Sequence, residues 1–289
     1  MTTYALIYNP VSGGGKGTDA AASAEAALRS RGVDFTSVAT KSLEHAEHLG
    51  REAALSGRVC LACGGDGVIG AVARGCAEAD GVLALVPGGR GNDFARALGL
   101  PVDTEEAIDV ALNGVEKRID LGSGNGVSFC CIASCGYDSD ANRIANELSG
   151  NGSLDYVKAA IKALIGWKPA NFVLVLDGRK RKFTGYSVIV ANTMAYGGGM
   201  KVAPAADPAD GMFDVVTIED SSKLIFLLRF PLVFAGKHTG SKVVKVERAR
   251  SVEISADRQF EVYADGDPLC SLPAKIEMRQ GAVRMMLKK

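Results

Sequence analysis

The stretch Leu61-Ala62-Cys63-Gly64-Gly65-Asp66-Gly67-Val68 limits the possible folds more than any other part of the chain. It reads as a buried strand, Val59 to Cys63, running into three glycines set around one carboxylate. A helical pattern follows from Val68 to about Ala79. Glycines between a strand and a helix let the backbone approach a polyphosphate and aim N–H groups at it. Two more turns share this logic: Asn9-Pro10-Val11-Ser12-Gly13-Gly14-Gly15-Lys16-Gly17, and Pro87-Gly88-Gly89-Arg90-Gly91-Asn92-Asp93. Each follows an apolar run and precedes a helical pattern. Three such loops at the carboxyl ends of parallel strands are expected to form one crevice.

Around these loops the first part of the chain alternates. Tyr4–Tyr8 and Phe35–Ala39 read as strands, Ser42 caps a helix over Leu43–Leu55, and Val82–Val86 is a further strand. Asp103 with Glu106 makes a capping box for a helix to about Leu112. This alternation predicts a doubly wound parallel α/β sheet covered on both faces. The pattern changes near Arg118, and short strands dominate from there. Gly124-Asn125-Gly126 and Asp177-Gly178 are hairpin signals between them. Strands are expected at 117–121, 127–131, 172–176, 182–190, 213–218, 242–247, 252–255, 260–264, 274–278 and 283–287. Helices are expected at 138–148, 154–165 and 224–234. The reading is an α/β nucleotide-binding domain over residues 1–118 and a β-sandwich domain over 119–289, with the final strand a candidate to return to the first domain.

Composition excludes some partners. Lys plus Arg and Asp plus Glu both number 33, so no basic footprint for nucleic acid exists and any membrane contact must be local. Seven cysteines, an odd number lying mostly in apolar strands, point to free thiols and a reducing compartment. Met1-Thr2-Thr3-Tyr4 runs straight into a strand, without a signal-peptide pattern. A cytoplasmic protein is therefore expected. The apolar run Leu224–Phe234 is broken by Arg229 and Pro231; it fits a core helix better than a lipid-facing one.

Several motifs carry two readings. The first glycine loop is not a Walker A loop, because Lys16 precedes Gly17 rather than Ser or Thr; Lys16 could meet a phosphate or stay solvated. Asp265-Gly266-Asp267 is either a plain hairpin turn or a carboxylate pair beside the crevice, one member taking a proton from a substrate hydroxyl. Asp207 and Asp210 are oxygen donors three apart in a loop, suited to Mg²⁺ or to solvent. His45 and His48 read as a solvated helix face. Cys60 and Cys63, three apart in a strand, face opposite ways and pack in the core.

Taken in order, Asn9-Pro10 with Ser12-Gly13, the Gly-Gly-Asp-Gly turn, Pro87 with Gly89 and Asn92-Asp93-Phe94-Ala95-Arg96, Gly197-Gly198-Gly199-Met200, Asp210-Gly211, Gly236-Lys237-His238 and Asp265-Gly266-Asp267 give a family. The chain resembles the bacterial diacylglycerol kinase-like lipid kinases, relatives of sphingosine and ceramide kinases and, more distantly, of NAD kinases. The resemblance implies a fold of an α/β nucleotide domain joined to a β-sandwich, and transfer of the γ-phosphate of ATP to a lipid hydroxyl. It assigns Asn9, Thr40, the turn Gly64, Gly65, Asp66, Gly67, Val68, Ile69 and Gly70, and the Gly89-Arg90 position to ATP. Ser12, Gly13, Lys16 and Asn92, from the flanking glycine loops, join that set.

Asp207, Asp210 and the backbone at Met212 are assigned by the same resemblance to a structural Mg²⁺, and the late acidic motif, Asp267 or Asp265, to the catalytic base. A catalytic Mg²⁺ is expected near Asp66. This chain departs from the family at Val68, Gly70, Ala71, Arg90 and Asp267. The expected partner is a lipid at a membrane surface, met by a peripheral enzyme at the inner membrane face; a homodimer stays open. The rival readings are a nucleotide-binding regulator without catalysis, and a kinase of a sphingoid base or of a soluble alcohol.

Overall fold

A computed structural model describes residues 2–15, 17–89, 91–140, 164 and 166–289. The positions Lys16 and Arg90, the expected helix over 154–165 and most of that over 138–148 lie outside the described residues, apart from single helical positions at their edges.

The first half alternates β1 (Tyr4–Tyr8), the single turn α1 (Ser12–Gly15), α2 (Gly17–Ser30), β2 (Phe35–Ala39), α3 (Leu43–Leu55), β3 (Val59–Gly64), α4 (Asp66–Glu78), β4 (Val82–Pro87), α5 (Asp93–Ala97) and α6 (Thr104–Asn113). The caps fall where the sequence places them. Ser42 accepts the His45 N–H and Asp103 accepts the Glu106 N–H, each satisfying an otherwise orphaned donor. β1 pairs in parallel with both β2 and β3, and β3 with β4. The order β2-β1-β3-β4 therefore reverses direction between β1 and β3. In such sheets the crevice opens outside the carboxyl ends of the strands at that reversal. Both strands end in the glycine loops.

Alternation within each strand builds a core on each face. Leu6, Leu61 and Cys63 pack with Ala24 and Leu28 of α2 and Ile108 of α6. Ile7, Cys60 and Ala62 pack with Ala46 of α3 and Ile69 and Val72 of α4. Cys60 and Cys63 thus sit on opposite faces, both buried, and the described cysteines are free thiols. Helices α3 and α4 cross at close range because neither Gly50 nor Gly75 carries a side chain. A Cβ on Gly75 would stand 1.9 Å from the Glu47 carbonyl oxygen. That closeness fixes how α4 leaves the Gly64–Gly67 turn.

The second half contains β5 (Val115–Gly124), β6 (Val127–Phe129), β7 (Ile132–Gly136), β8 (Ala170–Leu176), β9 (Arg179–Ala191), β10 (Phe213–Glu219), α7 (Lys223–Arg229), β11 (Val244–Ala249), β12 (Ser251–Ala256), β13 (Glu261–Ala264), β14 (Asp267–Ser271) and β15 (Ala274–Leu287). The expected strand 127–131 stops at Phe129, because Cys130 and Cys131 turn their N–H groups to Asp265, and β7 follows as a strand that was not expected. Strands 274–278 and 283–287 are one strand, β15, with a register shift between Arg279 and Val283. β14 was not expected; it follows the Asp265-Gly266 corner and pairs with β13.

β15 runs antiparallel to β5 and β12, and its far end lies parallel to β4 through Arg284↔Val82 and Met285↔Leu83. The sheet of the first half and the strands of the second form one hydrogen-bonded network. One apolar cluster also spans both, joining Ile69 and Phe94 to Cys130, Ile189 and Met285. The apolar run 224–234 corrects the core reading. It is α7 followed by a 3-10 turn over Phe230–Val233, and none of its residues is buried. Among the described residues no helix is long and apolar enough to cross a membrane.

Candidate active site

The three glycine turns converge at the carboxyl ends of β1, β3 and β4. In the first, the Asn9 carboxamide oxygen accepts the Val11 N–H at 3.1 Å, and the Ser12 N–H donates to the Asn9 carbonyl. Gly13 and Gly14 take left-handed φ values of 63° and 79°. The Ser12 hydroxyl reaches the second turn, 2.9 Å from where a Cβ on Gly64 would stand. Thr40, buried after β2, donates its N–H to the Tyr8 carbonyl at 2.7 Å and pins the neighbouring strand end.

Second and third turns touch backbone to backbone. The Gly88 N–H donates to the Gly64 carbonyl at 2.8 Å, and a Cβ on Gly89 would lie 2.5 Å from the Gly65 Cα. Asn92, buried and left-handed at φ 52°, closes its own loop. Its side-chain oxygen accepts the Gly89 N–H, and its amide donates to the Gly89 carbonyl. Gly65 caps α4 without a side-chain acceptor, so the first N–H groups of that helix remain open, with the positive end of its dipole beside them. Gly67 and Gly70 continue the first turns of α4; the side chains of Val68 and Ile69 between them point into the core. Only the backbone of Val68 and Ile69 can face a nucleotide.

Asp66 opens α4, and its Oδ1 accepts the Phe94 N–H at 3.2 Å. Burial pushes its carboxyl above the ordinary range. The Phe94 N–H pulls it down, the Asp93 carboxylate pushes it up again, and the N–H groups of Asp93 and Asn92 oppose both. Asp93 in turn accepts the Gly198 N–H on both oxygens, at 3.1 and 3.2 Å. This bond ties the third glycine turn to the Gly197–Met200 loop of the second half.

The hairpin between β13 and β14 supplies the opposite wall. Asp265 sits at its corner with φ 51°. Its Oδ2 accepts the Cys130 N–H at 2.6 Å, and its Oδ1 accepts those of Cys131 and Ile132 at 2.9 and 3.1 Å. Burial pushes the Asp265 carboxyl up, the three N–H groups pull it down, and the charge of Asp66 across the crevice pushes it up further. Asp267, two residues on, is exposed. Partial desolvation raises its carboxyl and the Arg74 guanidinium opposes the shift. Arg74 projects from α4 and is held by Glu47 of α3 through Nε–Oε2 at 2.8 Å. Asp265 therefore feels the charge of Asp66, and Asp267 that of Arg74 on α4, across the two halves.

The Asp207–Met212 loop is separate in its bonding. Asp207 Oδ1 accepts the Ala209 N–H, and Asp210 Oδ1 accepts the Met212 N–H. Asp210 Oδ2 is ion-paired with Arg248, whose Nε also lies 3.5 Å from the buried Asp214. Among the described residues no group of three or more His, Cys, Asp or Glu side chains could hold a metal ion. Asp207, Asp210 and the Met212 backbone thus share one loop, with Arg248 on one oxygen of Asp210. Asp120 anchors the loop. Its buried carboxylate accepts the N–H groups of Gly211 and Gly281, each at 2.6 Å.

Three contributors were not singled out in the sequence: Arg74, Asp120 and the N–H groups of Cys130–Ile132. Arg74 had a readable signal, as the one charge within the small and apolar run Gly67–Cys76. Asp120 and the Cys130–Ile132 backbone had none, since their partners lie more than ninety residues away.

Comparison with known proteins places this geometry. Residues 3–124 match the diacylglycerol kinase catalytic domain, and residues 131–287 match the YegS C-terminal NAD kinase beta sandwich-like domain. A diacylglycerol kinase of Mycobacterium tuberculosis (strain ATCC 25618 / H37Rv) is 35% identical, over 97% of this chain and 93% of that one. One of Bacillus subtilis (strain 168) is 30% identical, over 95% and 93%. The crystal structure of a diacylglycerol kinase from Bacillus anthracis str. Sterne shares the fold, with a TM-score of 0.79 at 22% identity, covering 99% of this chain and 97% of that one. The glycine turns and the acidic hairpin thus stand in matched domains at both ends of the sequence, and the chain belongs to the diacylglycerol kinase catalytic-domain family.

Proposed function

We propose that the protein is an ATP-dependent lipid kinase that transfers the γ-phosphate to the hydroxyl of a diacylglycerol, giving a phosphatidic acid. The observation that carries this is that the Asp66 turn and the acidic hairpin meet across one apolar cluster: Val68 and Phe94 lie in it with Cys130, Cys131 and Ile132, whose N–H groups hold Asp265. Open N–H groups at the start of α4, beside the close-packed Gly64–Gly65 and Gly88–Gly89 turns, suit the phosphates of a nucleotide, with magnesium arriving on the nucleotide as part of the substrate. Asn9, Ser12, Gly13, Thr40 and Asn92 shape those turns.

The two hairpin carboxylates divide the work. Asp265 has its oxygens taken by three N–H groups, which suits it to positioning. Asp267 is exposed, and desolvation holds its carboxyl above the ordinary carboxylate range, which suits it to accept the proton of the alcohol as that oxygen attacks phosphorus. Positioning and charge stabilisation supply most of the acceleration in phosphoryl transfer of this kind. The curated relatives named diacylglycerol kinase support the acceptor class.

The test is incubation with labelled ATP and, separately, a diacylglycerol, a sphingoid base and NAD, with products separated by chromatography and mass spectrometry. Label is expected in phosphatidic acid. Saturable ATP binding with no labelled product from any acceptor would overturn the reading in favour of a nucleotide-binding regulator.

A further inference from the structure

The segment from Ser221 to Val246 has the amphipathicity of an ordinary surface helix turned inside out. Phe226 is its inward anchor, its ring 5.3 Å from Tyr137 and 5.1 Å from Tyr186, centroid to centroid. The large apolar side chains on either side point outward. Leu224 is 66%, Leu228 70% and Phe234 50% exposed, and Ile225, Leu227 and Leu232 join them within the same eleven residues. Single exposed leucines are ordinary in soluble proteins, but six large apolar groups in one short segment are not.

The charge of this segment is equally one-sided. It carries Lys223, Arg229, Lys237, Lys242 and Lys245 and no Asp or Glu, in a chain whose charges balance at 33 each overall. Arg229, Lys237, Lys242 and Lys245 are exposed.

Its position matters as well. The Val233 carbonyl accepts the Lys201 N–H at 3.1 Å, and Gly236 lies so close to Pro204 that a Cβ there would stand 2.9 Å from its ring. Lys201 follows the Gly197–Met200 loop, whose Gly198 is bonded to Asp93 of the third glycine turn. The apolar face is therefore continuous with the rim of the crevice.

We infer that the segment 221–246 is the docking surface of the protein for an anionic lipid bilayer, with Leu224, Leu228 and Phe234 entering the headgroup region while Arg229 and Lys237 meet lipid phosphates. The bilayer is favoured over a second copy by charge. An isologous dimer through this patch would set cation against cation with no carboxylate in the segment to answer it, whereas an anionic surface answers every one. A helix of this length lies on a membrane rather than spanning it. The placement would leave a lipid hydroxyl beside the crevice with its acyl chains still in the bilayer; that consequence rests on the lipid-kinase reading, while the binding itself does not.

The experiment sediments the full chain with phosphatidylcholine vesicles, with and without phosphatidylglycerol, alongside two double variants: Leu228→Ser with Phe234→Ser, and Arg229→Glu with Lys237→Glu. The wild type is expected to bind the phosphatidylglycerol vesicles and to lose binding as salt is raised. The apolar variant should bind at least about tenfold more weakly, the effect of withholding one leucine-sized group from burial. The charge variant should lose both binding and its salt dependence. All four side chains are exposed, so melting curves should match the wild type. Both variants should phosphorylate a short-chain, dispersed diacylglycerol as the wild type does and fail only on vesicles.

Vesicle binding unchanged in both variants would overturn the inference. So would a wild-type dimer in sedimentation equilibrium that becomes a monomer in the apolar variant while vesicle binding persists. A wild type that binds vesicles through this segment yet phosphorylates neither lipid form supports the docking surface and counts against the lipid-kinase reading alone.

Discussion

In the turns at Gly64–Gly67 and Gly88–Gly89 the backbone makes the close contacts, and side chains hold it in shape. In the hairpin of β13 and β14 the roles are exchanged: the backbone of Cys130–Ile132 holds a side chain, and a second side chain is left free to act. Gly65 and Gly89 approach each other because neither has a Cβ, and Asn92 spends its whole carboxamide on the Gly89 peptide. Asp265 spends both oxygens on three N–H groups, while Asp267 stays exposed. A site made of N–H groups is vulnerable to added atoms. A site made of carboxylates is vulnerable to lost ones.

The sharpest way to break the comparison is Asp267→Ala. Loss of a general base is expected to lower kcat by about 10²–10⁴-fold with nucleotide affinity kept, as measured by titration calorimetry. Full turnover in that variant would remove Asp267 as the base. In the glycine turns the matching change is an addition. Gly89→Ala places a methyl 2.5 Å from the Gly65 Cα, so the turns must separate. A displacement of that order is expected to cost about 10–100-fold in kcat/KM for ATP. An unaltered value would mean that the contact between the turns does not position the nucleotide.

Asp265→Ala tests the holding role by stability rather than rate. It leaves the N–H groups of Cys130, Cys131 and Ile132 without their acceptor, at about 1–3 kcal/mol for each one that water cannot reach. Chemical denaturation should show a loss of at least about that size, and an unchanged midpoint would dismiss the cradle. The smallest effect is on pH. Asp267 must be ionised to accept a proton, so activity falls as pH falls through its pKa. Burial holds that pKa above its ordinary value and Arg74 opposes the shift. Arg74→Gln therefore moves the acid limb of kcat/KM to higher pH with the plateau little changed. A stationary limb would mean that Arg74 does not govern Asp267.

The first half was readable because its signals are local. Ser42 and Asp103 cap the helices they precede, and the Asn125-Gly126 and Asp177-Gly178 turns close the hairpins they mark in the second half. The strand break at Cys130-Cys131 was hidden inside an apolar run without a turn residue, because its cause is Asp265, 134 residues later. The apolar run 224–234 was misread for a related reason. Periodicity shows that a segment has an apolar face, but not whether the rest of the molecule covers it. Here Phe226 packs against Tyr137 and Tyr186 of the body, whereas Phe234 meets the ring of Phe230 in its own segment.

The loop of Asp207, Asp210 and Met212 shows the same division. Its two carboxylates are visible as spacing, whereas the pairing of Asp210 with Arg248, on β11, is not.

By itself the sequence determined the strand–glycine–helix units, the caps and turns, and the even charge that rules out a nucleic-acid footprint, since each follows from residues within a few positions of one another or from a simple sum. Tertiary structure alone decided that the returning strand β15 should pair with β4, that Asp265 should be gripped by a distant backbone while Asp267 was left open, and that the leucines after Ser222 should face outward. Those outcomes depend on which surfaces meet once the chain has closed, and burial, desolvation and long-range hydrogen bonding have no local trace to be read in advance.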